Sequence, residues 1–245
     1  MVLTTHHAAP TLLVNNPCRL AGVARGLLVG PLLFPGHLPM RTIVYVDGFN
    51  LYYGSVKNTS YKWLDLLSLF RKVAGQSRQV VAIKYFTSRV SSTPRDPTKA
   101  ERQRIYLRAL QTLPEVSIHF GHFVTHDVYA PLARPTETQA SALIRRTEEK
   151  GTDVNLAVHL LNDAWHDRYD CAMVASNDGD LAEAIRLAKY ETGKSVGIAV
   201  PGPNRPSQAL QGQADFTRRI RAGALASSLL PDPIPDTTIA KPPNW

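Results

Sequence analysis

Arg41-Thr42-Ile43-Val44-Tyr45-Val46-Asp47-Gly48 is a β-branched and aromatic run that stops at an Asp-Gly turn. That is the pattern of a strand buried on both faces. Working outward, residues 64–74 read as a helix with Asp65 in its first turn and Gly75 as its stop, and 79–86 as a second strand. Residues 97–113 read as a helix ended by Pro114 and 116–124 as a third strand, followed by a polar, mobile loop through Pro131 and Pro135. Residues 153–165 carry the strongest helical pattern, with Val154, Ala157, Val158, Leu161 and Trp165 on one face that must be buried. A fourth strand at 170–175, a helix at 179–190 with Leu181, Ile185 and Ala188 inward, a fifth strand at 195–200 and a last helix at 206–220 complete the pattern. Strands alternating with helices require a parallel sheet of about five strands, covered on both faces, so the fold class is α/β. In such sheets ligands bind beyond the carboxyl ends of the strands, where the strand order reverses.

The chain has 245 residues, of which 44% are hydrophobic, enough for one large domain with a core. Its domain falls at 40–222, ahead of a proline-rich C-terminal tail at 223–245. Residues 1–39 hold no Asp or Glu and are interrupted by Pro10, Pro17, Pro31, Pro35 and Pro39, so they read as a mobile extension or an upstream-start artefact. Their longest apolar run, 27–34, is broken by Gly30 and Pro31 and too short to cross a membrane, and no early basic region marks a signal peptide. Cys18 and Cys171 lie in segments of different character, which excludes a disulfide scaffold and a four-thiolate zinc site and points to a reducing, cytoplasmic compartment. A net charge of +8 favours polyanionic partners.

Four carboxylates carry the chemistry. Asp47 ends the first strand, while Asp178 and Asp180 follow the fourth within Ser176-Asn177-Asp178-Gly179-Asp180, on the same rim of the sheet. Asp153 opens the helix leading into the fourth strand, and simple chain tracing leaves it at the opposite rim unless the preceding segment runs back over the site. Each has an ordinary reading. Asp47-Gly48 makes a tight turn, Asp153 complements a helix dipole for about 0.3–1 kcal/mol, and Asp178 caps a helix for about 1 kcal/mol. Two carboxylates this close repel, by about 4 kcal/mol at roughly 4 Å and an effective dielectric of about 20, and a divalent cation would relieve that.

Three segments carry a resemblance: residues 43–51 around Asp47-Gly48-Phe49-Asn50, then Lys150-Gly151-Thr152-Asp153-Val154, then 174–181 around Asp178-Gly179-Asp180. In this order they resemble the signature of the NYN domain family, relatives of PIN-type ribonucleases. The resemblance implies a Rossmann-like, doubly wound (PIN-like) sheet and a Mg²⁺ or Mn²⁺ pocket lined by Asp47, Asp153, Asp178 and Asp180, with Asn50 beside it. It also implies an endoribonuclease acting on single-stranded RNA. Asp47 and Asp178 are then the direct ligands, while Asp153 and Asp180 ligate through water or aid the nucleophile. Lys150 would meet a phosphate, although an exposed lysine at a helix start is the commoner case.

Tyr52, Tyr53, Tyr61 and Trp63 follow the first motif and suit stacking on bases or on a small aromatic ring. Residues 46–56, with Lys62-Trp63-Leu64-Asp65 and the end at Trp245, resemble a bacterial subgroup of the same family. Proteins there are described as hydroxylating 6-hydroxy-3-succinoylpyridine with NADH, which would call for a cofactor such as flavin. No Gly-x-Gly-x-x-Gly follows a strand and no iron triad is evident. A non-catalytic RNA-binding module is a third alternative. Arg95, Lys99, Arg102, Arg104 and Arg108 form either a basic strip or a solvated helix face. His119 and His122 point to opposite faces of a strand and suit one metal ion poorly, and Gly193-Lys194-Ser195 reads as a turn.

Overall fold

The computed structural model describes residues 38–135, 138–243 and 245. The expected extension over 1–39 therefore falls, apart from its last two residues, outside the described residues. In chain order the elements are β1 (Met40–Asp47), α1 (Gly48–Leu51) running into a π-turn (Tyr52–Val56), α2 (Leu66–Ala74), β2 (Arg78–Thr87), α3 (Lys99–Leu110) and β3 (Val116–Phe120). There follow β4 (His122–Pro131), β5 (Ser141–Lys150), α4 (Thr152–Trp165), β6 (Cys171–Ala175), a 3₁₀ turn (Gly179–Leu181), α5 (Ala182–Tyr190), β7 (Ser195–Val200), α6 (Gln208–Gln213), β8 (Phe216–Arg219) and α7 (Ala222–Ala226).

Six strands form one parallel sheet in the order β3-β2-β1-β6-β7-β8. β1 alternates Val44 and Val46 against α2 and α3, where Leu66, Leu69, Phe70 and Leu110 are buried, and Ile43 and Tyr45 against α4 and α5, where Leu156, Leu160, Ile185 and Ala188 are buried. Burial on both faces is what its unbroken apolar run requires. Asp65 caps α2, its carboxylate accepting from the Ser68 amide at 2.9 Å. Strand order reverses between β1 and β6, so the crevice at the carboxyl ends of these two strands is where such a sheet takes a ligand. No helix among the described residues is long and apolar enough to cross a membrane.

The structure corrects the sequence reading in four places. The expected mobile loop after the third strand is an antiparallel arm, β4 paired with β5 from His122↔Lys150 to Pro131↔Ser141. Its strands are exposed on both faces, with polar pairs such as Arg145 on Asp127 at 2.9 Å and Thr125 on Thr147 at 3.0 Å beside exposed apolar ones such as Tyr129↔Leu143, so a search for buried faces does not find it. The helix expected over 206–220 is reduced to α6; after it Phe216–Arg219 joins β7 as a sixth strand, because the Asp215 carboxylate accepts from the Val196 amide at 2.9 Å and fixes the chain in register.

On α4 the expected inward stripe is largely outward. Val154, Val158 and Trp165 are exposed, while Leu156, Leu160, Asp163 and Ala164 are buried. The buried face is a second stripe, Leu156, Leu160 and Ala164, joined by Asp163, which meets Tyr45 and Lys84 of the sheet. Lastly, the C-terminal segment packs on the domain: Leu230, Ile234 and Ile239 bury against Trp63 and Ala109, and the Trp63 indole donates to the Pro231 carbonyl at 3.0 Å.

Two glycines with positive φ allow a graded test. At Gly193 (φ 68°), which ends α5, a Cβ would meet nothing, so Gly193→Ala should cost only the left-handed backbone, about 1–2 kcal/mol. At Gly202 (φ 73°) a Cβ would also overlap the Gly54 carbonyl, which cannot swing aside. Gly202→Ala is expected to lose about 3 kcal/mol, read as the larger fall in urea midpoint of the two.

Candidate functional site

Asp47 lies at the last residue of β1, beside the end of β6, where Val46 pairs with Ala175. It is 7% exposed. Each oxygen has one fixed donor: Oδ1 accepts from the Asn50 amide at 2.9 Å, and Oδ2 from the Ser176 hydroxyl at 3.0 Å. Ser176 Oγ accepts in turn from the Asp178 amide at 3.1 Å, and the Asn50 side-chain oxygen from the Asn177 amide at 3.1 Å. The two motifs are thereby laced together across the β1–β6 seam. Asp178 accepts from the Asp180 amide at 3.0 Å. The ordinary capping roles of Asp47 and Asp178 are real, and both carboxylates also line the crevice.

Asp153 reaches the same crevice. The arm explains how: it leaves from the end of β3 and returns beside it, so α4 starts at the carboxyl rim rather than the opposite one. Asn155 holds that start by donating to the Phe120 carbonyl at 3.2 Å. The returning strand also brings Glu149 into the crevice, where it accepts from the Ser88 hydroxyl at 2.8 Å. Sequence reasoning missed Glu149, whose only signal was its place four residues before Asp153 on a strand not then recognised.

Electrostatics mark the cluster. Burial pushes Asp47 above the ordinary carboxylate range, opposed by the donors Asn50 and Ser176 and reinforced by the charge of Asp178. Asp153 is pushed up to about 6 by burial, then by the charges of Asp47, Asp178, Glu149 and Asp180. Asp180 is exposed and outside the crevice lining. Among the described residues no three His, Cys, Asp or Glu side chains are grouped closely enough to hold a metal ion between them.

The other expected residues disperse. Lys150 is exposed and pairs with Glu148 at 2.9 Å. Tyr53 stands at the crevice mouth with Phe49, whose ring centroid is 6.4 Å away, and Phe123 of the arm closes on Phe49 at 5.9 Å. Tyr52 faces a neighbouring cavity. In the basic strip, Arg102 is paired with Asp96 at 2.6 Å and Arg104 with Glu101 at 2.7 Å. His119 instead stacks on Phe86, ring centroids 5.0 Å apart, and meets the tilted His159 ring at 4.2 Å, and burial with the nearby His159 and Lys84 pushes it down to about 4.

Residues 41–220 match the NYN domain. A curated relative, the 6-hydroxy-3-succinoylpyridine 3-monooxygenase HspA of Pseudomonas putida (strain DSM 28022 / S16), is 33% identical over 236 residues, covering 84% of this chain and 76% of its own. Among solved structures, a protein of unknown function from Vibrio parahaemolyticus RIMD 2210633 is similar with a TM-score of 0.50 at 20% identity, over 78% of this chain and 97% of that one. That last likeness concerns the fold alone.

Proposed function

The chain belongs to the NYN domain family, and from that membership we propose that it is a divalent-metal-dependent ribonuclease cleaving phosphodiester bonds of single-stranded RNA. The observation that carries the reading is the seam itself. Asp47 is held almost out of solvent by Asn50 and Ser176, facing Asp178 and Asp153 in one crevice, with Asp153 pushed up to about 6. Like charges are gathered here against their own repulsion.

The donor set fits Mg²⁺ or Mn²⁺: hard carboxylate oxygens, few enough to leave waters on the ion. Asp47 and Asp178 would hold it directly, Asp153 and Asp180 through water, and Glu149 joins them as a residue of the same crevice. Bound there, the ion would lower the pKa of an attacking water and offset charge on the phosphate. The chain's own residues do the rest. Asn50 and Ser176 keep Asp47 in one orientation, Asp153 stands in the same crevice where it can accept a proton from water, and Phe49 and Tyr53 offer rings to flanking bases. The +8 net charge favours the polyanion.

The test is hydrolysis of an end-labelled single-stranded RNA. Cleavage should require Mg²⁺ or Mn²⁺, stop with chelator and return when the metal is restored. RNA bound but uncut at every metal concentration, with binding indifferent to loss of the carboxylates, would instead identify a non-catalytic RNA-binding module.

The relative's printed name supports a second reading, monooxygenation of 6-hydroxy-3-succinoylpyridine, for which NADH would be the reductant. That chemistry would require a redox group such as flavin in addition to NADH. A flavin band in the spectrum of the purified protein, with NADH oxidation triggered by the pyridine, would favour it over the nuclease.

A further inference from the structure

α4 is apolar on two sides. Leu156, Leu160 and Ala164 fill the core, while Val154, Val158, Leu161 and Trp165 recur at helical spacing along the outer side. The exposed positions of this helix are Val154, Val158, Asn162 and Trp165, and its three apolar ones are 65%, 58% and 59% exposed. Between Val154 and Trp165 the only charged residue is Asp163, which is buried. A helix that ends its burial at solvent normally turns charge outward, as α3 does: its exposed positions are Glu101, Arg104 and Arg108. An outward row that lacks charge and ends in a tryptophan has instead the composition of the centre of an interface.

The row has a direction. Val154 is small and follows Asp153, so this end adjoins the acidic crevice. The other end is large and adjoins a cation. Trp165 closes the helix three residues before Arg168, whose half-exposed guanidinium meets the buried Asp163 at 2.9 Å, while the intervening Asp167 is engaged by Lys194 and Arg41. α4 and α5 both run from the carboxyl rim to the opposite one, so the exposed Tyr190 that ends α5 widens the aromatic end of the same layer. One end therefore offers a shallow place beside negative charge, and the other a large ring beside positive charge. Each end is the complement of the other.

We propose that this face is the contact between two copies of the chain, α4 packing antiparallel on α4 of the second copy about a two-fold axis that passes between Val158 and Leu161. A two-fold contact must be self-complementary, and only the antiparallel setting brings the unlike ends together. Trp165 of each copy then covers Val154 of the other, Val158 of each meets Leu161 of the other, and Arg168 of each is set toward the acidic end of the other. The opposed helix dipoles favour the same arrangement. A parallel setting would place ring on ring and cation on cation. The contact draws on no residue of the crevice and holds whichever chemistry that crevice performs.

Sedimentation velocity of the full chain over roughly 1–100 µM tests it, with a dimer expected to gain population as the concentration rises. Val158→Glu and Trp165→Ala should each weaken the dimer at least about tenfold, since a central tryptophan is the commonest anchor of such contacts. Both side chains are more than half exposed, so the variants should keep the wild-type circular dichroism. Tryptophan emission should move to shorter wavelength as the wild type associates, and Trp165→Ala should abolish that shift. Tyr129→Glu, which changes an exposed ring on the β4–β5 arm, should leave the dimer as it is. A dimer that Val158→Glu and Trp165→Ala leave intact overturns the proposal, and its loss in Tyr129→Glu would assign the contact to the arm. A chain that stays monomeric throughout also overturns it; a red shift of emission on deleting residues 1–39, absent in Trp165→Ala, would then give the face to that segment.

Discussion

Asp178→Asn is expected to lower divalent-dependent RNA hydrolysis at least about 100-fold while leaving the fold intact, since even partners behind a ligand are worth about 10–100-fold. The substitution removes charge and almost nothing else. An amide oxygen at the same place still accepts from the Asp180 amide, so the 3₁₀ turn keeps its cap. Without the Asp178 charge, Asp47 and Asp153 both lose a repulsion that now raises them, so the metal-free protein should melt no lower than the wild type. The discriminating measurement is the melting shift with Mn²⁺. At a concentration of about 100 times the wild-type Kd the native state gains about 2.7 kcal/mol, whereas a variant binding 100-fold more weakly gains about 0.4 kcal/mol. Equal hydrolysis and equal Mn²⁺ response in the two proteins would make the cluster structural. Loss of NADH-dependent ring hydroxylation in the variant would instead keep the site and change its chemistry.

The residues that sequence reasoning placed well are those whose role is local. The β1 run is buried on both faces because its own composition demands it, and Leu181, Ile185 and Ala188 are buried as their spacing predicts. Asp47 and Asp178 fall on the carboxyl rim because they end or follow strands that lie side by side. What failed depended on partners far along the chain. Asp153 reaches the site only through the β4–β5 arm, whose strands are exposed and give no burial signal, and Glu149 comes with it. β8 is four residues long and is fixed by Asp215, not by an apolar run of its own. On α4, counting apolar residues chose the face of Val154 and Val158, whereas the buried face carries Leu156, Leu160 and Ala164 together with the charge of Asp163.

That charge supports the largest expected change in stability: Asp163→Ala should lose about 3–5 kcal/mol, the usual cost of breaking one side of a buried pair. The Asp163 side chain is fully buried and meets Lys84 of β2 at 2.5 Å, Tyr45 of β1 at 2.7 Å and Arg168 at 2.9 Å. Lys84 is 14% exposed and also contacts the His159 ring at 3.3 Å, so removing the carboxylate leaves an ammonium and a buried phenol without their acceptor. Arg168 is half exposed and can turn to water, so it adds little to the loss. For a domain of this size the change corresponds to a fall of roughly 6–20 °C in Tm. Tyr45→Phe, which drops one hydrogen bond and leaves the ion pair, should cost only about 1–2 kcal/mol. Replacing both charges, in Lys84→Met with Asp163→Leu, should recover much of the loss, because no unpaired charge remains. The pH dependence has a definite sign. Burial alone would raise Asp163, but the hydrogen bonds from Lys84, Tyr45 and Arg168 overcome it and hold it below the ordinary carboxylate value. Its contribution is therefore complete above the unfolded value, about 4, and is lost as pH falls through the lower folded value. Urea titrations from pH 7 down to pH 3 should show wild-type stability converging on that of Asp163→Ala at the acid end. A gap that stayed constant across this range would mean that the carboxylate acts through its shape and not its charge.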